Sequence, residues 1–309
     1  LLAPYPPVKG DIMEQTHTSS QPRTSATPLD PRLYQILSLS ALLSYGFGWL
    51  HFDVSCEQIV VTIGTALLAQ YTATRLVGLP AFDPKSALIS GLSLCLLLRT
   101  NELAVSAAAA LLAISSKFLF HRRNKHLFNP TNFALAVTLA AGLGWISPGQ
   151  WGQTAWFGFL VACLGGLVVT RAARADVTLT FLCAYVGLLV GRSLWLGDPM
   201  TIPLHQLETG ALLIFSFFMI SDPKTTPDSR SGRIMYAFCV ALAAYYVQFN
   251  LFRPNAPLWG LIVCAPLVPL IDAWLPGQPY DWPVASSHDA SPLIPVPHPL
   301  SISQPRRFS

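Results

Sequence analysis

The sequence predicts an all-α polytopic membrane protein with about ten transmembrane helices in two inverted five-helix halves. Three observations support this prediction: the composition, the spacing of apolar segments and the distribution of Lys and Arg. Of the 309 residues, 52% are hydrophobic and 11% are charged, and the mean hydropathy is +0.47. Because a soluble domain carries about 25% charged residues, we expect a lipid bilayer around this chain. The small net charge of +4 argues against nucleic acid as a partner.

Apolar segments follow one another along the middle of the chain, and each is a candidate span. They lie at about 34–50, 58–78, 86–98, 102–120, 131–147, 154–173, 177–195, 207–221, 232–251 and 257–275. The third and fourth are short and close together, so they could be half-helices or a tight hairpin. We therefore predict a transmembrane domain at 34–275, with halves at about 34–150 and 151–275. Residues 1–33 and 276–309 are rich in Pro and Ser without apolar periodicity, which predicts disordered tails.

Basic residues concentrate in alternate loops. They are Arg23, Arg32, Arg75, Lys85, Lys117, Arg122, Arg123, Lys125, Arg171, Arg174, Lys224, Arg230 and Arg233. Short loops rich in Lys and Arg stay on the cytoplasmic side of a membrane. This distribution predicts a multi-pass protein of a bacterial-type inner (plasma) membrane, with both termini and the loop at 222–233 in the cytoplasm.

An internal repeat is suggested by two matching tetrapeptides. Leu127–Pro130 reads LFNP and Leu251–Pro254 reads LFRP, and the same offset relates Ala87-Leu88 to Ala211-Leu212. Five spans in each half is an odd number, so the second half enters the membrane from the opposite side. Inverted repeats of this kind place their sites between the halves, often where a helix is broken.

Four stretches of the chain resemble one family. They read SALISGLSLCLLLRTNE (86–102), LFNPTNFALAV (127–137), GALLIFSFFMISDPKTTPDSRSGRIMYA (210–237) and APLVPLIDAW (265–274). In this order they resemble the family of the Rnf D-subunit and the Nqr B-subunit, found in membrane electron-transport complexes. The resemblance covers about residues 34–275 and implies ten helices in two inverted halves. It also implies electron transfer through a flavin, coupled to ion transport, with other membrane subunits as partners.

The resemblance implies a flavin, but the usual covalent attachment site is missing. Members of the family carry FMN on a threonine in the loop between the fifth and sixth spans. The corresponding stretch, Ile146–Gly158, lacks that motif, and Thr154 is its only threonine. Thr27, in TSATPLD, has a flavinylation-like context but lies before the first span, and we interpret it as coincidence. We therefore expect FMN or riboflavin to be bound noncovalently.

The candidate site residues come from two polar stretches beside apolar spans. The cofactor-binding candidates are Asn129, Thr131, Asn132, Ser221, Asp222, Lys224, Thr225, Thr226, Arg230 and Arg233. Asp222 and the nearby hydroxyls could bind a flavin or a cation, and the arginines could bind a phosphate. An equally simple interpretation is a helix stop with a lipid anchor, and Asn129 could be a plain N-cap. Asp222 and Asp272 are the candidate ion pathway.

No motif for autonomous catalysis or metal binding is present. The six cysteines are scattered singly, and His121 and His126 fall in a basic loop, where we expect them to be solvated. The favoured function is an integral membrane subunit of an ion-translocating oxidoreductase, a translocase. The alternative is a stand-alone transporter or channel for a small solute or a flavin on the same inverted-repeat fold. A scaffold helix bundle in a larger complex is the plainest third interpretation.

Overall fold

A computed structural model describes residues 30–50, 52–79, 81–122, 125–147 and 155–280. The chain is predominantly helical over these ranges. The helices are α1 (Pro31–Gly48), α2 (Cys56–Val77), α3 (Lys85–Leu97), α4 (Leu103–Leu119), α5 (Pro130–Ala140), α6 (Ala155–Arg171), α7 (Ala175–Leu196), α8 (Thr201–Leu207), α9 (Gly210–Ile214), α10 (Arg230–Phe249), α11 (Ala256–Cys264) and α12 (Leu267–Trp274). Helix α9 continues directly into a π-helical turn, Phe215–Met219.

Two short antiparallel pairs tie loops together. Strand β1 (Leu98–Arg99), which follows α3, pairs with β4 (Trp145–Ile146). Strand β2 (His121–Arg122) pairs with β3 (Lys125–His126) in the connection between α4 and α5. The second pair brings the chain back toward the end of α4, which places the start of α5 beside it.

Most helices coincide with the predicted apolar segments, with differences at several ends, but α8 (Thr201–Leu207) lies in a stretch predicted as a loop. Helix α1 begins at Pro31, inside the stretch predicted as a tail, because the Asp30 side chain caps it by accepting from the Arg32 amide at 2.9 Å. Helix α5 ends at Ala140 instead of continuing to 147, because the chain turns through Gly142 at φ 69°. At the other end, the Tyr280 carbonyl accepts from Lys224 Nζ, so residues up to 280 are docked on the protein.

Two helix pairs in the described ranges are sharply bent, and one of them corresponds to the predicted span at 257–275. Helices α8 and α9, with its π-helical turn, meet at 55°, and α11 and α12 meet at 52°. Pro266 lies at the second break, where its missing N–H cannot continue a helical ladder. Broken helices at membrane depth are tolerated where the freed backbone is buried in protein or lines a cavity.

The described residues include helices that could cross a membrane. Three are long and apolar enough, namely Cys56–Val77, Ala175–Leu196 and Arg230–Phe249, and there are five if each bent pair is one span. Large apolar side chains point outward, with Leu76 87% and Trp195 88% exposed, as expected for a surface in contact with lipid. The chain is therefore a helical membrane protein, while ten crossings stay a prediction.

The same packing order occurs twice along the chain. Helix α4 packs against α2 and α5, and α10 packs against α7 and α11. Likewise α1 packs against α3, and α6 packs against α9 and its π-helical turn. This order is what a repeat of five segments would produce, although the inversion of the two halves stays a prediction.

Helices α10 and α11 cross at a glycine. A Cβ on Gly260 would lie 2.9 Å from the Ala244 nitrogen and 2.9 Å from the Val240 oxygen. The facing residues of α10 are small and fully buried, with Ala241 and Ala244 at 0% exposure. Small residues at such a crossing let two backbones approach closely, which is how helices gain packing energy in a membrane.

We expect Gly260→Ala to lower the free energy of unfolding by about 1–3 kcal/mol, because the added methyl group meets backbone atoms that must move. The measurement is thermal unfolding of the purified protein in detergent. Gly187→Ala is the matched control, since Gly187 lies in α7 with open space around its Cα, and it should be neutral or slightly stabilising. Equal unfolding temperatures for the two variants would contradict the close crossing.

Candidate functional site

A polar cavity of about 270 Å³ lies where the start of α5 meets the segment after the π-helical turn. It has an unusual number of ionisable groups for a chain with so few charges. They are Arg32, Asp83, Lys117, His126, Asp222 and Lys224. At about 30 Å³ per water molecule, the cavity could hold about nine waters.

The two sequence-predicted stretches meet at this cavity. Asn129 caps α5, and its Oδ1 accepts from the Asn132 amide at 3.0 Å. Its Nδ2 donates to the Met219 carbonyl at 3.2 Å and to Asp222 Oδ2 at 3.4 Å. One asparagine therefore caps a helix and also holds the end of the π-helical turn. Single π-helical turns are frequent at functional sites.

Asp222 faces the cavity without a charged partner. It is half-buried, and its carboxylate accepts from the Lys224 amide at 3.0 Å and from Asn129. No ion pair joins it to a basic side chain within the described ranges. Desolvation by the surrounding protein raises the pKa of the Asp222 carboxyl above its usual range. The carboxylate is thus available to bind a cation or a proton.

Lys117 also lines the cavity, although the sequence placed it with a basic loop. It lies in the last turn of α4 and is only 5% exposed. Its Nζ donates to Ser86 Oγ at 2.9 Å and approaches Gln70 Oε1 at 3.5 Å. The signal for these residues was present in the sequence, because a Lys, a Gln and a Ser within apolar spans are costly unless they face a cavity or each other.

His126 is the second residue whose predicted role was wrong. We expected it to be solvated, but it lines the cavity, and its Nδ1 is buried without a hydrogen-bond partner among the described residues. The β2–β3 pairing and a bond from its amide to the Lys224 carbonyl (3.0 Å) hold it there. Burial, together with the charge of Lys117, lowers the pKa of His126 to about 4. The imidazole is therefore neutral, with a nitrogen that can accept from a ligand or water.

The predicted hydroxyl groups bond to the local backbone. Ser221 Oγ donates to the Phe217 carbonyl at 2.6 Å, and Thr225 Oγ1 and Thr226 Oγ1 donate to the Asp222 carbonyl at 3.3 and 3.1 Å. Thr226 Oγ1 also accepts from Arg174 Nε at 3.2 Å. These bonds satisfy carbonyl groups that the end of the helix leaves open, so the three hydroxyls shape the segment that carries Asp222.

Two of the remaining charged candidates, Arg233 and Asp272, form ion pairs around the loop at 222–233. Arg233 Nη2 lies 2.7 Å from Asp176 Oδ2, at the start of α7. Asp272 pairs with Lys125 at 2.6 Å and accepts from the Asp228 amide at 2.8 Å. Arg230, the first residue of α10, is exposed. The structure does not bring these groups to the cavity, and Asp272 as part of an ion pathway stays a prediction.

The other candidates are placed as follows. Thr131 lines the cavity, whereas Asn132 Nδ2 donates to the Leu258 carbonyl at 3.1 Å and so joins α5 to α11. Lys224 lines the cavity and donates to the Tyr280 carbonyl at 2.9 Å. Thr27 and Thr154 lie outside the described residues. Of the predicted cofactor-binding set, Asn129, Thr131, Asp222 and Lys224 therefore share one cavity.

The fold and the cavity define a class of protein: a helical membrane protein with an ionisable site where the start of one helix meets the end of another. Residues 139–281 match the model of the NQR2, RnfD, RnfE family, which confirms the predicted resemblance over that part of the chain. The match includes the segment that carries Asp222.

Named relatives agree with this family. The D-subunit of the ion-translocating oxidoreductase complex of Shigella flexneri serotype 5b is 29% identical over 143 residues, covering 43% of this chain and 36% of the relative. The corresponding D-subunit of Erwinia tasmaniensis is 28% identical over 144 residues, covering 45% of this chain and 37% of the relative. The chain thus spans 36% to 37% of the length of these relatives.

We expect acid to destabilise the protein through His126. An unfolded histidine binds a proton near its ordinary pKa of about 6.5, whereas the folded one does so only near 4, because burial lowers its pKa. Stability is therefore lost as the pH falls from about 6.5 toward 4. Asp222 acts in the opposite sense, because its raised pKa favours proton uptake by the folded state.

The measurement is the unfolding temperature of the wild type and of His126→Gln at pH 7 and pH 5. The variant keeps Asp222 but lacks the imidazole. Between pH 7 and pH 5 its free energy of unfolding should therefore fall by about 1–2 kcal/mol less than that of the wild type, seen as a smaller drop in unfolding temperature. The same pH dependence in both proteins would show that His126 is not buried in its neutral form.

Proposed function

We propose that this chain is the ion-translocating membrane subunit of an electron-transport complex, equivalent to the D-subunit of the Rnf type. The relatives are named as subunits of an ion-translocating oxidoreductase complex, and the family match supports carrying that role over. In this proposal the chain lies in a bacterial inner membrane, with basic loops and both termini in the cytoplasm, and works with other membrane subunits.

One observation carries the proposal: Asn129 and Asp222, from separate stretches of the chain, meet in one polar cavity. The half-buried Asp222 carboxylate lies there, and Asn129 Nδ2 donates both to it and to the Met219 carbonyl. Hard cations prefer oxygen ligands, so the Asp222 carboxylate is the candidate ligand. The cavity is thus suited to receive a cation on its way across the membrane.

The repeated packing order supports a pathway between two halves. If the halves are inverted, α5 and the π-helical turn belong to different halves, and their contact at Asn129 lies between them. Transport proteins with inverted repeats bind their ions at such junctions and open them by moving one half against the other. Ten spans in two inverted halves are therefore part of the proposal.

Flavin as the redox group stays a prediction. The hydroxyls of the 221–226 segment donate to the backbone, and Arg233 is paired with Asp176. The cavity of about 270 Å³ is smaller than the roughly 300–1,000 Å³ of sites that enclose an organic ligand. The size of the cavity therefore gives no support to a whole FMN or riboflavin enclosed within it.

The flavin prediction has a direct measurement: the visible spectrum of the purified full chain, before and after acid precipitation. A flavin released to the supernatant would support a noncovalent cofactor, and yellow colour retained in the pellet would indicate a covalent one at Thr27 or Thr154. A colourless protein that stays colourless after incubation with FMN and riboflavin would rule out a flavin carried by this chain alone.

A second candidate function is a stand-alone transporter or channel for a small solute. The volume of the cavity favours it, because space for about nine waters suits a small polar molecule better than a flavin. The two functions differ in what isolated protein does. A stand-alone transporter would move its solute across proteoliposomes that contain only this chain, whereas a subunit would need its redox partners.

We expect the full chain in detergent to bind a monovalent cation, and Asp222→Asn to reduce its affinity by about tenfold or more, because the variant removes the charge at the cavity. Isothermal titration with NaCl, KCl and LiCl, against choline chloride, measures this. Asp198→Asn is the matched control. Asp198 follows the C-terminal end of α7, where it pairs with Arg192, and it does not line the cavity. The proposal fails if no cation binds, or if Asp222→Asn binds as tightly as the wild type.

A further inference from the structure

Lys117 carries a buried amino group whose role the proposed function does not explain. Its side-chain contacts, Ser86 Oγ and Gln70 Oε1, are neutral. No carboxylate lies within ion-pair distance of it in the described ranges. Removing a charge from water costs several kcal/mol unless another charge compensates it. A group that serves packing alone would be better replaced by an apolar side chain.

Of the two acidic residues that line the cavity, Asp83 pairs with Arg32, and Asp222 forms no ion pair within the described ranges. Lys117 lines the cavity from the end of α4, and Asp222 lines it from the segment after the π-helical turn. The two charges face the same space of about 270 Å³ without forming an ion pair. Opposite charges in a protein interior attract over several ångströms, so Lys117 stabilises the ionised form of Asp222 across the cavity.

Arg32, Lys224 and His126 also line this space, and Lys85 lies next to it at Ser86. Arg32 lies 2.7 Å from Asp30 and 2.6 Å from Asp83, and Lys224 donates to the Tyr280 carbonyl. His126 is neutral, because its pKa is lowered to about 4. Lys85, at the start of α3, pairs with Asp30 at 3.2 Å. Arg174 and Lys224 also favour the ionised form of Asp222. Of the two lysines that line the cavity, Lys117 is the more deeply buried, at 5% exposure.

We propose that Lys117 is a tethered cation. Its charge balances Asp222 when the cavity holds no ion, and it weakens the binding of a transported cation because both positive charges compete for the same carboxylate. This inference rests on the proposed function and adds the residue that sets the affinity of the ion site for its cation. An entering cation must share the cavity with the ammonium group, and the repulsion between them keeps binding weak. Weak binding is what transport requires, because an ion that binds too tightly does not leave.

The test compares the Na⁺ affinity of the wild type with that of Lys117→Met, measured by titration of the full chain in detergent. Met keeps an unbranched side chain of similar length and removes the charge. We expect affinity to rise by about tenfold or more, because a like charge is removed from the cavity. Lys117→Arg keeps the charge and should show no such gain. Arg75→Met removes an exposed charge outside the cavity and should change affinity by less than about twofold.

The outcomes separate this inference from the proposed function. If Asp222→Asn abolishes Na⁺ binding but Lys117→Met binds as the wild type does, the tethered cation is wrong and the ion site stands. If neither the wild type nor folded Lys117→Met binds Na⁺, both proposals are overturned. Thermal unfolding shows whether Lys117→Met folds. Should it not fold, Lys117→Gln, which can still donate to Ser86, takes its place with the same expected gain.

Discussion

The contact of Asn129 with the end of the π-helical turn is the interaction on which the rest of the site depends. Its amide donates to the Met219 carbonyl and to Asp222, while its side-chain oxygen caps α5. A single side chain thereby fixes a helix start against a helix end. Around this contact the open carbonyl groups at the end of the π-helical turn find partners, as buried polar groups must.

Much of the fold could be predicted from the sequence, because hydropathy reports directly which segments can be surrounded by lipid. The helix breaks could not be predicted in the same way. The turn from α helix to π helix at Phe215 lies within an uninterrupted apolar run, where the pattern of side chains carries no sign of a changed hydrogen-bond ladder. Similarly, the docking of residues 276–280 depends on contacts with Lys224 and Ser229, which are distant in sequence.

The candidate site was predicted in part. The Asn-Pro helix start and the Asp-Pro helix end were both identified as polar groups beside apolar spans, and they are the two that meet. Ser221, Thr225 and Thr226 were included for their hydroxyls, but short hydroxyl side chains bond readily to the nearby backbone. His126 was expected to be solvated, and Lys117 was counted only as a basic loop residue. Their orientation depends on the β2–β3 pairing and the last turn of α4.

The most direct test of this account is a double-mutant cycle between Asn129 and Asp222. The free energy of unfolding is measured for the wild type, Asn129→Ala, Asp222→Asn and the double variant, in detergent at neutral pH. If the two side chains meet as described, the effects of the single changes should not add, and the coupling should be about 0.5–3 kcal/mol, as found for residues in contact. Additive effects would mean that the two stretches do not share one site, and the ion cavity between them would have to be abandoned.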